Sequence, residues 1–516
     1  MDYCGEFAGW FAMSDNRKNP SVVVIGAGMT GIMLVIKLRE AGIINVTLLE
    51  KKESVGGTWR ENTYPGVACD VPGHAYTYSF APNPEWSSLF APGSEIHQYF
   101  IDVYHKYGVD TCTRFNEAVT SCVYQDGKWK LESSQGNTYV ADLVFAATGM
   151  LHHPVIPDFE GLDSFTGVTM HSAQWDHSVQ LEGKRIGVIG NGSSGAQLIP
   201  ELIDKADTDV TVFQRTPQWL VKVVDKPYSE QDKERFRNKP AAMQRVKDGA
   251  LFVYGKGTAA LASDSPWYRL IHKAMAWNAR RYLKQSIKDP ELRAKLTPDY
   301  KLGCKRVVMN ATFYDAIQKP NAHLVTEGID RFEEGGIRTT DGQFHPLDAV
   351  VFATGFDPSA YMRPMNFVGR AGLTIKEAWS KKIQAYRSLC LPGFPNFFLM
   401  LGPNSPIGNY SVIAISEMQA DYALQLVSHW QAGELETIEV KPEALGGWNA
   451  MLREKMKHTV WTSGCNSWYL DGEGDPLLWP GNWKQWVAEM KAPAISDFYR
   501  ASPAVHSSDA DVSDVA

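Results

Sequence analysis

Ser21-Val-Val-Val-Ile-Gly-Ala-Gly-Met-Thr-Gly31 is the stretch that decides the fold. The apolar run from Ser21 to Ile25 has the pattern of a parallel strand buried on both faces. Gly26, Gly28 and Gly31 then let the backbone turn sharply and approach a pyrophosphate. Ile32 to Ala41 has helical spacing, and Gly42 stops it. Such a helix offers free N–H groups and a positive dipole end to an anion at its start. Asn45-Val-Thr-Leu-Leu-Glu50 reads as the second strand. A lone glycine pattern is weak evidence. Here it follows a strand and opens a helix, which is the context it requires.

The plan recurs further along. Arg185-Ile-Gly-Val-Ile189 reads as a strand, Gly190-Asn-Gly-Ser-Ser-Gly195 as a second loop, Ser194 to Ile203 as its helix and Asp209-Val-Thr-Val-Phe213 as the following strand. Gly190, Gly192, Ser193, Ser194 and Gly195 are therefore the second set of nucleotide-binding candidates. No short repeat period appears, so a domain type is duplicated and no solenoid is built. Two such loops imply two nucleotides held at once, and the usual pairing is a flavin reduced by a nicotinamide.

The residue ending the second strand separates the two loops. Glu50 stands 24 positions after Gly26, where a carboxylate binds ribose hydroxyls. The position 24 after Gly190 is Gln214, followed by Arg215 and Thr216. A carboxylate there would repel a 2′-phosphate, whereas an arginine pairs with it twice. The first loop is thus expected to hold FAD. The second is expected to hold NADPH, with Arg215 and Thr216 on its phosphate.

The chain has 516 residues, too many for one ordinary core. The expected fold is α/β, with two Rossmann-like dinucleotide-binding domains. Residues 1–150 form the first part of the FAD domain and 151–384 the NADPH domain. Within the latter, 225–300 is rich in Lys, Arg, Gln and Ala and reads as a helical insertion. Residues 385–516 return to the FAD domain and end in a small, acidic tail expected to be disordered. Leu143-Val-Phe-Ala-Ala-Thr-Gly149 and Val350-Val-Phe-Ala-Thr-Gly355 are two further strands that end in similar words.

The formal net charge of −7 argues against nucleic acid or an anionic membrane as the main partner. Tyr3 to Met13 is aromatic and apolar but too short to span a bilayer, and it lacks a basic start. A cytoplasmic protein without stable membrane association is expected, as a monomer or weak oligomer. The seven cysteines, at 4, 69, 112, 122, 304, 390 and 465, form no Cys-x-x-Cys pair. They read as reduced thiols, and no metal site is expected.

Between the two loops lies Phe165-x-Gly167-x-x-x-His171-x-x-x-Trp175-Asp176. This segment resembles the fingerprint of type I Baeyer–Villiger monooxygenases, class B flavoprotein monooxygenases. A second family pattern fits Gly56-Gly-Thr-Trp-Arg-Glu-Asn-Thr-Tyr64-Pro-Gly66-Val-Ala-Cys-Asp70, and the order of the motifs agrees from about 20 to 480. The resemblance places Gly57, Thr58, Trp59 and Asp70 at the flavin. It makes Lys305-Arg306 the basic pair beside that ring, and Asp70 the carboxylate that holds the arginine. Trp468 resembles a tryptophan that contacts the nicotinamide nucleotide. His171 is placed in the family as a structural coupler between domains.

The resemblance also implies a reaction. NADPH reduces FAD, dioxygen adds to the reduced flavin, and the resulting peroxyflavin anion attacks a ketone, giving an ester or lactone. A peroxide anion needs a permanent positive charge and exclusion of water. Arg306 suits this, because a guanidinium stays charged at any working pH and cannot act as a base. The alternatives are a flavin enzyme that oxygenates nitrogen or sulfur or epoxidises an alkene, and a non-catalytic flavoprotein. A disulfide reductase would need a paired redox cysteine, which the sequence does not offer as Cys-x-x-Cys.

Overall fold

A computed structural model describes residues 19–501 except 224, 407–409, 466, 468, 472 and 473. The N-terminal aromatic stretch, the acidic tail, Cys4 and Trp468 lie outside the described residues.

Two five-stranded parallel sheets dominate. The first runs in the order Phe397–Leu399, Leu143–Ala146, Val22–Ile25, Val46–Leu49, Thr113–Arg114. The second runs Ala322–Val325, Asp209–Phe213, Arg185–Ile189, Ala349–Phe352, Val168–His171. All neighbours within both sheets are parallel. In each, the strand that precedes a glycine loop is central, so its end opens at the middle of the sheet. All four residues of Val22–Ile25 are buried, as the unbroken apolar run demands.

The helices after the loops are Met29–Glu40 and Ser193–Ile203. They start earlier than the apolar spacing alone suggests, because Met29 and Ser193 are only half-buried and carry no periodic signal. A Cβ on Gly31 would overlap the carbonyl oxygen of Gly26, and one on Gly195 would overlap that of Gly190. The third glycine of each loop is thus demanded by the close approach of helix and strand.

Two smaller sheets flank this frame, antiparallel except where Asn366–Val368 runs parallel to Val119–Gln125. Val119–Gln125, Lys128–Ser133 and Thr138–Ala141 form one, which Asn366–Val368 joins from far along the chain. Ile329–Glu333, Gly336–Thr339 and Phe344–Pro346 form the other. Four helices, Glu230–Asn238, Pro240–Leu261, Pro266–Ser286 and Pro290–Lys295, occupy the stretch with helical periodicity. Among the described residues, no helix is long and apolar enough to cross a membrane.

One expectation is overturned. Cys304 and Cys465 form a disulfide across 161 residues of sequence, with Cα atoms 6.2 Å apart. The spacing rule missed it because the fold, and not local sequence, brings the two together. Cys69, Cys112, Cys122 and Cys390 are free thiols.

Candidate active site

One large cavity, about 1320 Å³, runs between the two loops. Gly26 and Gly28 line one end and Ser193 and Ser194 another. Neither loop helix has a side-chain N-cap or an acidic residue in its first turn. Their leading N–H groups are therefore open to a phosphate.

The residues fit a flavin nucleotide in the first loop. Glu50 is buried at the end of its strand, and its Oε2 accepts from the Ala27 N–H at 2.8 Å. Its Oε1 accepts from the Lys52 N–H at 3.1 Å. The carboxylate is thus fixed at the cavity wall. Thr148, in the turn after Leu143–Ala146, lines the same wall, and its buried hydroxyl has no protein partner. Such an orphaned group is costly unless a ligand completes it. Gly57, Thr58 and Trp59 also line the cavity, and the Trp59 indole donates to the Tyr76 hydroxyl at 3.0 Å.

The second loop has the same construction with one charge removed. Gln214 is buried where Glu50 stands in the first copy, and its Oε1 accepts from the Asn191 side chain at 2.6 Å. Its amide donates to the Lys295 carbonyl at 2.7 Å. Glu50 and Gln214 therefore each hold the residue between the first two glycines, one with an anion and one without. Arg215 is exposed next to it, close enough to Lys305 to help hold that lysine's pKa below its ordinary value, burial being the larger cause. This arrangement fits a nucleotide bearing an extra phosphate. Gly31, Gly190, Gly192, Gly195, Arg215 and Thr216 are not in the cavity wall, whereas Lys305 is.

Arg306 and Asp70 form an ion pair. Arg306 Nη2 donates to Asp70 Oδ2 at 2.6 Å, and both line the cavity. The side chains are 30% and 24% exposed, so the pair faces the void without being dissolved in water. The Asp70 charge outweighs desolvation and raises the Arg306 pKa, so the guanidinium holds its proton.

Three phenols surround this pair, and motif reading gave none of them a role. The Tyr254 hydroxyl, on Pro240–Leu261, donates to the Asp70 backbone carbonyl at 2.6 Å. Tyr469 lies close to Arg306, and burial pushes its pKa to about 12. Burial likewise pushes Tyr76 and Tyr254 upward. All three stay protonated near neutral pH, so no phenolate cancels the guanidinium. Single tyrosines carry no spacing signal of their own, which is why none was assigned to the pair. Cys69, beside Asp70, is a buried thiol whose pKa desolvation raises.

The fingerprint sits elsewhere. Val168–His171 is the edge strand of the second sheet, beside Ala349–Phe352. His171 is 1% exposed and does not line the cavity, and its Nδ1 accepts from the Ala173 N–H at 3.1 Å. Burial lowers its pKa, so the ring is neutral. Phe165 is buried, and a Cβ on Gly167 would strike its ring. Trp175 packs against the core of the second sheet. Asp176 Oδ1 accepts from the N–H and hydroxyl of Ser178, turning the chain at the surface. The segment is thus built into the second sheet, as its edge strand and the turn that follows.

Residues 23–248 match the family described as pyridine nucleotide-disulphide oxidoreductase. The match ends before Cys304 and Cys465, so it reflects the nucleotide-binding folds and not a redox cysteine pair. An uncharacterized monooxygenase of Mycobacterium bovis is 44% identical over 461 residues, covering 89% of this chain and 92% of that protein. A Baeyer-Villiger monooxygenase of Streptomyces coelicolor is 38% identical over 488 residues, covering 94% and 93%. The solved structure of OTEMO in complex with FAD and NADP has a TM-score of 0.82 and 27% identity, covering 94% of this chain and 100% of that one. Likeness of this extent spans both sheets, the helical stretch and the strand that returns to the first sheet, and on it the chain belongs to the Baeyer–Villiger monooxygenase family.

Proposed function

We propose that this chain converts a ketone, dioxygen, NADPH and a proton into an ester or lactone, NADP⁺ and water. Bound FAD, once reduced by NADPH, supplies the activated oxygen. The protein's own residues supply position and field.

Gly26, Gly28, Gly57 and Glu50 hold FAD, with Thr58 and Trp59 along its wall. Ser193, Ser194, Arg215, Thr216 and Lys305 hold NADPH. Arg306 places a permanent positive charge in a cavity where little water screens it, so negative charge developing on oxygen is stabilised there. Asp70 fixes the direction of that guanidinium, and Tyr254 fixes Asp70 through its carbonyl. His171 takes no part in proton transfer, being away from the cavity, and couples the two sheets. Residues 1–150 and 385–516 serve FAD, and 151–384 serve NADPH. The single observation that carries this reading is the Arg306–Asp70 pair in the wall shared by both loops.

A ketone and a sulfide are supplied in parallel, with product mass and NADPH consumption measured together. Ester formed in step with NADPH supports the reading. Sulfoxide without any ester, over a broad ketone panel, replaces it by heteroatom oxygenation.

A further inference from the structure

Pro266–Ser286 buries one face through Ala276, Ala279, Tyr282 and Leu283. That face is all the helix needs to hold its place. The opposite face is nevertheless apolar over its first three turns. Trp267, Leu270 and Trp277 are 63%, 58% and 60% exposed. With Ala274, also exposed, they recur at spacings of three and four residues and so form one stripe along the helix.

The charges flanking the stripe are of one sign. The helix contains Arg269, Lys273, Arg280, Arg281 and Lys284, all exposed, and no Asp or Glu. The Arg281 guanidinium lies 5.3 Å from the centre of the Trp277 ring. A soluble protein of net charge −7 has no need to gather basic and indole side chains on one outward surface.

We propose that this face docks reversibly on an anionic lipid surface. Indole rings and leucine enter the boundary between headgroups and acyl chains, while lysine and arginine meet the phosphates. The acidic remainder of the molecule is repelled by the same surface, which orients the helix toward it. A second copy of the chain is the wrong occupant. A twofold contact would set the same arginines and lysines against each other. Nucleic acid is disfavoured by the net charge of −7 and by the aliphatic Leu270 and Val253, which offer a base neither a stacking face nor a hydrogen bond.

The position gives the docking a use. Phe252 and Val253, on the preceding helix, are 66% and 67% exposed and also line the large cavity. Ile271 and Met275 of Pro266–Ser286 line it as well. The rim of the cavity and the basic, apolar stripe therefore belong to the same pair of helices. An apolar substrate dissolved in lipid reaches the cavity without crossing water. The docking itself does not depend on which substrate is oxidised.

The FAD-loaded full chain is sedimented with vesicles of phosphatidylcholine alone or mixed with phosphatidylglycerol. The expected result is binding to the mixed vesicles, released when salt rises from about 0.1 M to about 1 M and the screening length shrinks to about 3 Å. Two variants are compared, Trp267→Ser with Trp277→Ser, and Lys273→Glu with Arg281→Glu. Each is expected to weaken binding about ten-fold or more while NADPH oxidation with a water-soluble ketone stays unchanged. Retained flavin and activity show that the variants are folded. The proposal is overturned by absence of binding to the mixed vesicles, or by binding that the variants leave intact. It is equally overturned if the stripe instead mediates self-association in sedimentation velocity, or binds a single-stranded oligonucleotide in preference to vesicles.

Discussion

Arg306 and Asp70, 236 residues apart in sequence, meet at 2.6 Å in the wall of the cavity that both glycine loops open into. The guanidinium thus reaches the void already oriented. Arg306→Ala is expected to leave flavin reduction by NADPH intact while ester yield falls by about a hundred-fold or more. Hydrogen peroxide should then account for the NADPH consumed. Arg306→Lys keeps the charge but loses the fork that Asp70 holds, so an intermediate yield is expected. Normal ester formation by Arg306→Ala would remove the arginine from the mechanism.

Tyr254 offers a finer test. Its hydroxyl reaches the Asp70 carbonyl from the long helix Pro240–Leu261. A neutral hydrogen bond contributes about 0.5–1.5 kcal/mol. Tyr254→Phe is therefore expected to lower ester yield per NADPH by about two- to ten-fold, with flavin binding unchanged. An unchanged coupling ratio would reduce this tyrosine to packing.

Coenzyme choice follows from Gln214 and Arg215. Arg215→Ala is expected to weaken NADPH by about ten- to a hundred-fold and NADH much less, since only the former carries the extra phosphate. Gln214→Glu places an anion where Glu50 stands in the first copy, and is expected to shift preference further toward NADH. Equal losses for both coenzymes in Arg215→Ala would contradict the assignment.

Acid sensitivity has an identifiable source. His74 is 5% exposed, packed against Tyr228 and Phe236 with ring centres 5.6 and 4.5 Å away. Desolvation lowers its pKa from 6.5 to about 4. The unfolded chain therefore binds a proton between those values that the folded chain refuses. Stability from this group is complete above about pH 6.5 and is lost as pH falls toward 4, by at most about 3 kcal/mol. Thermal midpoints should drop through that window, and His74→Phe should flatten the drop. An identical acid slope in the variant would place the titration elsewhere.

His171→Gln separates architecture from catalysis. The ring is neutral, buried and away from the cavity. Activity is expected to fall severalfold while the pH–rate profile keeps every ionisation of the parent. Loss of one limb of that profile would restore a proton-transfer role.

What the sequence disclosed depended on range. Val22–Ile25 and Arg185–Ile189 were legible because a strand buried on both faces is written as an unbroken apolar run. Glu50 and Gln214 were legible because a strand of fixed rise sets their register to the loop. Arg306 and Asp70 could be named only through family motifs, since nothing local signals a partner 236 residues away. Tyr254 had no motif and Tyr469 stood only as the neighbour of Trp468, so neither was given a role, although both crowd the pair. The Cys304–Cys465 link was invisible for the same reason, because spacing rules address neighbours in the chain and it joins neighbours in space.

That link has a mechanical consequence. Cys304 immediately precedes Lys305-Arg306, and Cys465 stands just before Tyr469, so the bond yokes two stretches that bear on the same guanidinium. The Ser463 hydroxyl adds a contact to the Cys304 sulfur at 3.3 Å. A swing of the later stretch drags the arginine with it, and neither can give way alone. The charged anvil is thus fastened to the later stretch by a covalent bond, and to the long helix Pro240–Leu261 by the Tyr254 hydrogen bond on Asp70.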